Sequence, residues 1–199
     1  MATQSGRILF GAIDRIVNSP ANFRVAMLCD LAAALAFLVL GVTRFSGPFV
    51  VAGGLITVGI MSWGLIEYIL HRWVLHGPPS MATRGHARYH AEPRALISTP
   101  LFVIMTGALV IRGLLGLVLP AGVADLLVFG LYIEYNYFAL VHHAQHHRAN
   151  GLACVTYLRR LERQHHLHHH RQLVNFGIST TIWDHLFGTF QAANKPATD

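Results

Sequence analysis

Four long apolar stretches frame this chain: Val25–Val42, Pro48–Leu70, Pro100–Leu119 and Ala121–Val141. Each is close to the ~20 residues that cross a hydrocarbon core of about 30 Å as a helix. Short turn segments separate the members of each pair, TRFSG at 43–47 and the corner from Leu119 to Gly122. The pattern predicts an all-α integral membrane protein with four transmembrane helices in two tight hairpins. The polar residues between and after the hairpins then form a helical cap rather than a second core.

Composition supports that class. Of 199 residues, 53% are hydrophobic and 12% charged, where soluble domains carry roughly 25% charged residues; the mean hydropathy is +0.45. The net charge is +6, and 14 of the 15 basic residues are Arg. No nucleic-acid-binding motif accompanies the excess, which suits anionic headgroups or an acidic protein partner and excludes nucleic acid. Cys29 and Cys154 show no metal-ligand spacing and imply no disulfide framework. The first twenty residues lack the apolar core of a cleaved signal peptide and read as an amphipathic, interfacial segment.

The arginines also orient the spans. Arg7, Arg15 and Arg24 precede the first; Arg72, Arg84, Arg88 and Arg94 lie between the second and third; Arg148, Arg159, Arg160, Arg163, Arg171 and Lys195 follow the fourth. Only Arg44 lies on the other side, so the termini and central loop are expected in the cytoplasm. Within the second hairpin, Arg112 and Asp125 differ in depth by about 5 Å at 1.5 Å rise per residue. They either pair or snorkel separately to the interface.

Histidine distribution carries the chemistry. Thirteen of 14 histidines fall in four bursts: HRWVLH (71–76), HARYH (86–90), HHAQHH (142–147) and HHLHHH (165–170). The orientation places all four, with His185, on one membrane face. Residues four apart share a helix face, so His86/His90, His142/His146 and His143/His147 are each candidate ligand pairs. The last burst offers two overlapping trios, His165/His168/His169 and His166/His169/His170. His71 and His76 are five apart and diverge by about 140° on a regular helix, so His76 is expected to swing round in a frayed turn before Gly77-Pro78-Pro79. Glu67, one turn above His71, can accept a hydrogen bond from a ligand's second ring nitrogen or be a buried carboxylate satisfied elsewhere. One tetrahedral zinc needs four ligands; nine or ten nitrogens suit two ions, and nitrogen donors alone do not distinguish Fe, Zn, Cu or Ni.

These bursts, with EYILHRWVLH (67–76) and the tail NFGISTTIWDHLFGT (175–189), resemble the fatty acid hydroxylase/sterol desaturase superfamily of membrane-bound di-iron oxygenases. The tail looks like that family's FGx(S/T)(S/T)xxWDxxFGT signature. The resemblance implies metal ligands at His71, His76, His86, His90, His142, His146, His166, His169 and His170, with His165 and His168 as alternates and no catalytic residue beyond the ligands. It implies two iron ions, with zinc as a substitute metal. The activity implied is hydroxylation of a lipid, first a fatty acyl chain, using O₂ and electrons from a separate ferredoxin, rubredoxin or cytochrome. A sterol or carotenoid hydroxylase or desaturase is the alternative within the superfamily, and a metal transporter the alternative outside it. Two positions depart from the family pattern: Tyr89 stands where the second burst has its middle histidine, so that either one metal loses a ligand or Tyr89, His143 or His147 compensates, and Ala139 replaces an acidic residue. Trp183, Phe187 and the second-span glycines Gly53, Gly54, Gly59 and Gly64 either shape a lipid entrance or serve interface anchoring and close helix packing. The domain reading is an interfacial segment at 1–24, a hydroxylase-like membrane domain at 25–190 and a flexible tail at 191–199.

Overall fold

A computed structural model describes residues 19–92, 101–147 and 155–193. Most of the interfacial segment, the tail beyond Ala193, Cys154, and Arg7, Arg15, Arg94, Arg148 and Lys195 lie outside the described residues. Among those described, the chain is all helical: α1 (Pro20–Arg44), α2 (Phe49–Ile69), a π-helical turn (Leu70–Leu75), α3 (Met81–Ala91), α4 (Leu101–Leu115), α5 (Ala121–His147), α6 (Thr156–His170) and α7 (Ile182–Leu186). Three of them, Pro20–Arg44, Phe49–Leu75 and Ala121–His147, are long and apolar enough to cross a membrane. The third apolar stretch forms the shorter α4, which closes in a turn before Pro120.

Contacts divide the chain into two compact units. The first comprises residues 1–59 and 95–136 and so holds α1, α4 and the first parts of α2 and α5. Ser19 caps α1 by accepting from the Asn22 N–H at 3.1 Å, and Pro20 occupies the first turn, where its missing N–H costs nothing. The buried residues Ala26, Asp30, Ala34, Phe37 and Gly41 recur every three to four positions, a single helix face. The opposite face exposes Val25, Leu28, Leu35, Val39 and Val42, an apolar surface suited to lipid rather than water.

Helices α2 and α5 approach through glycine. A Cβ on Gly59 would collide with the Leu127 carbonyl, and one on Gly130 with the Ile56 carbonyl; small residues bring helix backbones together in this way in membranes. Two polar clusters tie the unit together. Tyr132 donates to the buried Asp30 carboxylate. Asp125, fully buried, accepts from Arg44 Nη1 and Arg112 Nε, each at 2.9 Å. The Arg112–Asp125 pair therefore forms, and Arg44, which sequence reasoning left alone, completes it.

The second unit comprises residues 60–94 and 137–199. Tyr68 is its central aromatic, stacked on Phe187 at 5.0 Å and edge-on to Phe176 at 5.8 Å. The loop from Val174 to Ser179 is held by side chains rather than by secondary structure. Asn175 takes a left-handed conformation (φ 54°), which Asn tolerates better than most residues. Its side chain donates to Gln191 O at 2.9 Å and accepts from Gln191 N at 2.8 Å. Asp184 accepts from Phe176 N and Gly177 N, both at 2.8 Å, and from Thr189 Oγ1 at 2.7 Å. Glu67 accepts from Ile178 N, Ser179 N and Ser179 Oγ. A Cβ on Gly177 would lie 2.8 Å from the Asp184 carboxylate, so glycine lets that carboxylate reach the loop backbone.

Candidate metal centre

The ligand groups are assembled by helix register in the second unit. At the end of α2 the helix widens, and His76 N–H bonds to His71 O at 3.2 Å. This i→i+5 bond belongs to a π-helix. It brings the two rings to 5.2 Å, so a π-turn, not a frayed turn, brings together imidazoles that a regular helix would separate.

The outcome is a five-nitrogen group, His71, His76, His86, His90 and His168, whose ligand atoms all lie within 4.8 Å of one another. The Nε2 atoms of His71 and His86 are 3.1 Å apart; those of His86 and His76, His76 and His168, and His90 and His86 are each 3.0 Å apart. A second group, His142, His146 and His165, meets the same limit. There the His146–His165 Nε2 distance is 2.8 Å, and His169 Nε2 lies 3.1 Å from His165 Nε2. The groups adjoin, with the His90 and His169 rings stacked at 4.2 Å.

The fit to metal follows from proton counting. His71 Nδ1 contacts Phe176 O, and His168 Nδ1 contacts Val174 O at 2.8 Å. A carbonyl only accepts, so both Nδ1 atoms carry the proton and both Nε2 atoms present lone pairs. His86 Nε2 faces three other Nε2 atoms and can donate to only one. Lone pairs therefore confront each other at about 3 Å, a repulsion that a central cation removes. Metal–nitrogen bonds of about 2.0–2.1 Å put neighbouring ligands roughly 3 Å apart, which is the observed spacing.

Burial and mutual proximity hold the rings neutral. Burial first, then neighbouring histidines, pushes His76 down to about 4 and His86 to about 2. Burial likewise lowers His168 to about 3, against the opposing bond to Val174, and His169 to about 2. His165 is driven well down, and His90 down, each chiefly by burial. Neutral imidazole is the ligating form, so a metal need not displace protons at neutral pH.

The expected ligands His71, His76, His86, His90, His142 and His146 stand in the two groups, and His169 stands beside the second. In the last burst, His168 stands in the first group and His165 in the second. His165 and His168 are buried, whereas His166 and His170 are exposed. Helix α6 buries Leu161, Gln164, His165 and His168, one amphipathic face, and that face carries His165 and His168 into the two groups. His185 stacks on Phe190 at 3.9 Å, outside both groups. The His143 and His147 rings stack at 4.5 Å, also outside them. Tyr89 is buried against His146 and His142, with ring centroids 4.4 and 5.0 Å away. Burial raises its phenol above the usual range, so it stays a neutral O–H.

The hydrogen bonds described for Glu67 go to Ile178 N, Ser179 N and Ser179 Oγ. It anchors the loop whose carbonyls meet ligand rings, and Asp184 shares that task. Both lie in the motifs EYILH and WDHLFGT, but their role has no sequence signature, because the donors they satisfy are backbone N–H groups. Trp183 packs over Gly64, where a Cβ would lie 2.9 Å from Trp183 Nε1. Of the other second-span glycines, Gly59 meets α5, while Gly53 and Gly54 face open space.

Residues 56–189 match the sequence profile "Fatty acid hydroxylase". A fatty acid 2-hydroxylase of Macaca fascicularis is 33% identical over 156 residues, covering 68% of this chain and 39% of that protein. A ceramide very long chain fatty acid hydroxylase of Schizosaccharomyces pombe is 28% identical over 154 residues, covering 71% and 44%. This chain thus spans less than half the length of these curated relatives. The solved structure of full-length scs7p, in which only the hydroxylase domain is visible, shares the fold with a TM-score of 0.71 at 20% identity, covering 93% of this chain and 72% of that one. The match over residues 56–189, which contain every histidine of both groups, makes this chain a member of the fatty acid hydroxylase family.

Proposed function

We propose that this protein is a membrane-bound di-iron oxygenase that hydroxylates the acyl chain of a lipid. The observation that carries the reading is the pair of adjoining nitrogen-ligand groups in a chain of this family. His71, His76, His86, His90 and His168 would hold one ion; His142, His146 and His165, with His169, the other. His166 and His170 are then surface residues of α6. Iron at these positions would supply activation of O₂, with one oxygen entering a C–H bond, the other leaving as water, and two electrons and two protons consumed.

The chain's own residues prepare that chemistry. Burial keeps the imidazoles unprotonated and water away. The Val174 and Phe176 carbonyls fix two ring tautomers, and the loop bonds to Asp184 and Glu67 hold those carbonyls in place. The names of the relatives, fatty acid 2-hydroxylase and ceramide hydroxylase, favour carbon 2 of a fatty acyl chain, free or in a sphingolipid. Electrons come from a separate ferredoxin, rubredoxin or cytochrome, for which the arginines on α6 offer a docking charge. Four spans in two hairpins, with termini and histidines on the cytoplasmic side, complete the reading, supported by the arginine distribution.

The test is purification in detergent, iron quantification per chain, and mass spectrometry of acyl lipids incubated with O₂ and a reductant. Two irons and an O₂-dependent hydroxylated product are expected. Metal flux in vesicles with no lipid oxidation overturns the reading.

A further inference from the structure

The geometry points to two unequal metal sites, in which the five-histidine group binds a divalent transition-metal ion at least tenfold more tightly than the three-histidine group. This deepens the di-iron reading above and rests on it.

Three observations separate the sites. The first is ligand number, five nitrogens against three, or four with His169. The second is support behind the ligands. In the first group, His71 and His168 each give their Nδ1 proton to a carbonyl of the 174–179 loop. In the second, the buried Nδ1 atoms of both His165 and His169 have no hydrogen-bond partner among the described residues, a condition shared in the first group by His90 Nδ1. An acceptor on the far nitrogen fixes the tautomer and raises ligand basicity, and losing such a partner typically weakens metal binding 10–100-fold. The third is Tyr89, whose neutral phenol ring packs on both His142 and His146. Phe176 lies against His71, His76 and His168 in the first group as well, but there five imidazoles gather, whereas at the second group the Tyr89 ring fills the space beside only three.

Asp184 and Glu67 are then positioning residues for the tight site alone. Asp184 accepts from the N–H of Phe176, whose carbonyl meets His71. Glu67 holds the next two residues of the same loop. Asp184 touches no second-group histidine through any described hydrogen bond.

The test is an anaerobic titration of the full-length, chelator-stripped protein in detergent with Co²⁺, followed by its d–d absorption against a competing chelator, and repeated with Fe²⁺. Two binding steps separated by at least tenfold are expected. Asp184→Asn and Glu67→Gln should each weaken the tight step 10–100-fold and leave the weak step in place. Should either variant fail to fold, His76→Ala and His146→Ala assign the steps: the first must remove the tight one, the second the weak one. Two ions bound with equal affinity, or the reverse assignment, overturn the inequality while leaving the di-metal reading intact. Fewer than two ions bound per chain overturns that reading as well.

Discussion

The Arg44–Asp125–Arg112 cluster gives a stability prediction in which the effect of each substitution depends on which partners remain. Asp125 is fully buried, while the two guanidinium side chains are 45% and 29% exposed. The cost of burial therefore falls on the carboxylate, and each arginine offsets part of it with one charge-assisted bond. Such bonds contribute about 1.5–3 kcal/mol when desolvated, and exposure moves the Arg44 bond toward the ~1 kcal/mol of a surface pair. Arg44→Met should cost about 1 kcal/mol and Arg112→Met about 2 kcal/mol by these values. The double variant leaves a buried charge with neither guanidinium, and breaking a buried pair costs about 3–5 kcal/mol, so the loss should exceed the sum. Adding Asp125→Asn to the double variant removes that charge and should restore a large part of the stability. Unfolding by SDS in mixed micelles, following tryptophan fluorescence, measures the four variants against wild type. Strict additivity, or a triple variant less stable than the double, refutes the assignment of the penalty to the carboxylate.

Other outcomes follow from the same structure. His166→Ala and His170→Ala should retain wild-type metal content, whereas His165→Ala and His168→Ala should each lose about one ion per chain, read by elemental analysis. Gly59→Leu and Gly130→Leu should destabilise by at least the ~1–3 kcal/mol of overpacking, while Gly53→Leu, which meets open space, should melt near wild type. The metal-free protein should lose thermal stability on acidification. His76, His86, His168 and His169 have folded pKa values of about 4, 2, 3 and 2 against the ordinary 6.5. The unfolded chain therefore binds more protons below pH 6.5, and stability present above that pH falls progressively toward pH 4. A flat melting temperature from pH 7 to 5 contradicts the buried, neutral cluster.

Much of this organisation was legible in the residue pattern. Apolar runs of membrane length located α1, α2 and α5, and four-residue spacing paired His86 with His90 and His142 with His146. What the pattern could not supply were contacts between distant segments. HHLHHH contains two equivalent trios, and only the burial of Leu161 and Gln164 in α6 shows that His165 and His168 turn inward. Arg44 looked like an isolated interfacial charge until α1 and α5 placed it beside Asp125, 81 residues away. Asp30 drew no notice in the first span because its partner, Tyr132, lies 102 residues on. Glu67 drew notice either as a partner for a ligand ring or as a buried carboxylate satisfied elsewhere; its described bonds go to the backbone of Ile178 and Ser179 and to Ser179 Oγ, which no side-chain spacing reports.

The π-turn at Leu70–Leu75 bears on how such sites are found and how they vary. Because each of its turns takes one residue more, a five-residue interval here does what a four-residue interval does on an ordinary helix. HxxxxH and HxxxH are then one ligand geometry written in two backbones, differing by a single inserted residue that the helix absorbs. A chain lacking Val74, which is half-exposed and contributes no ligand, could close the turn into a regular helix and still keep both imidazoles on one face. Spacing in this burst is therefore free to drift by one residue among related chains, provided that the helix type changes with it.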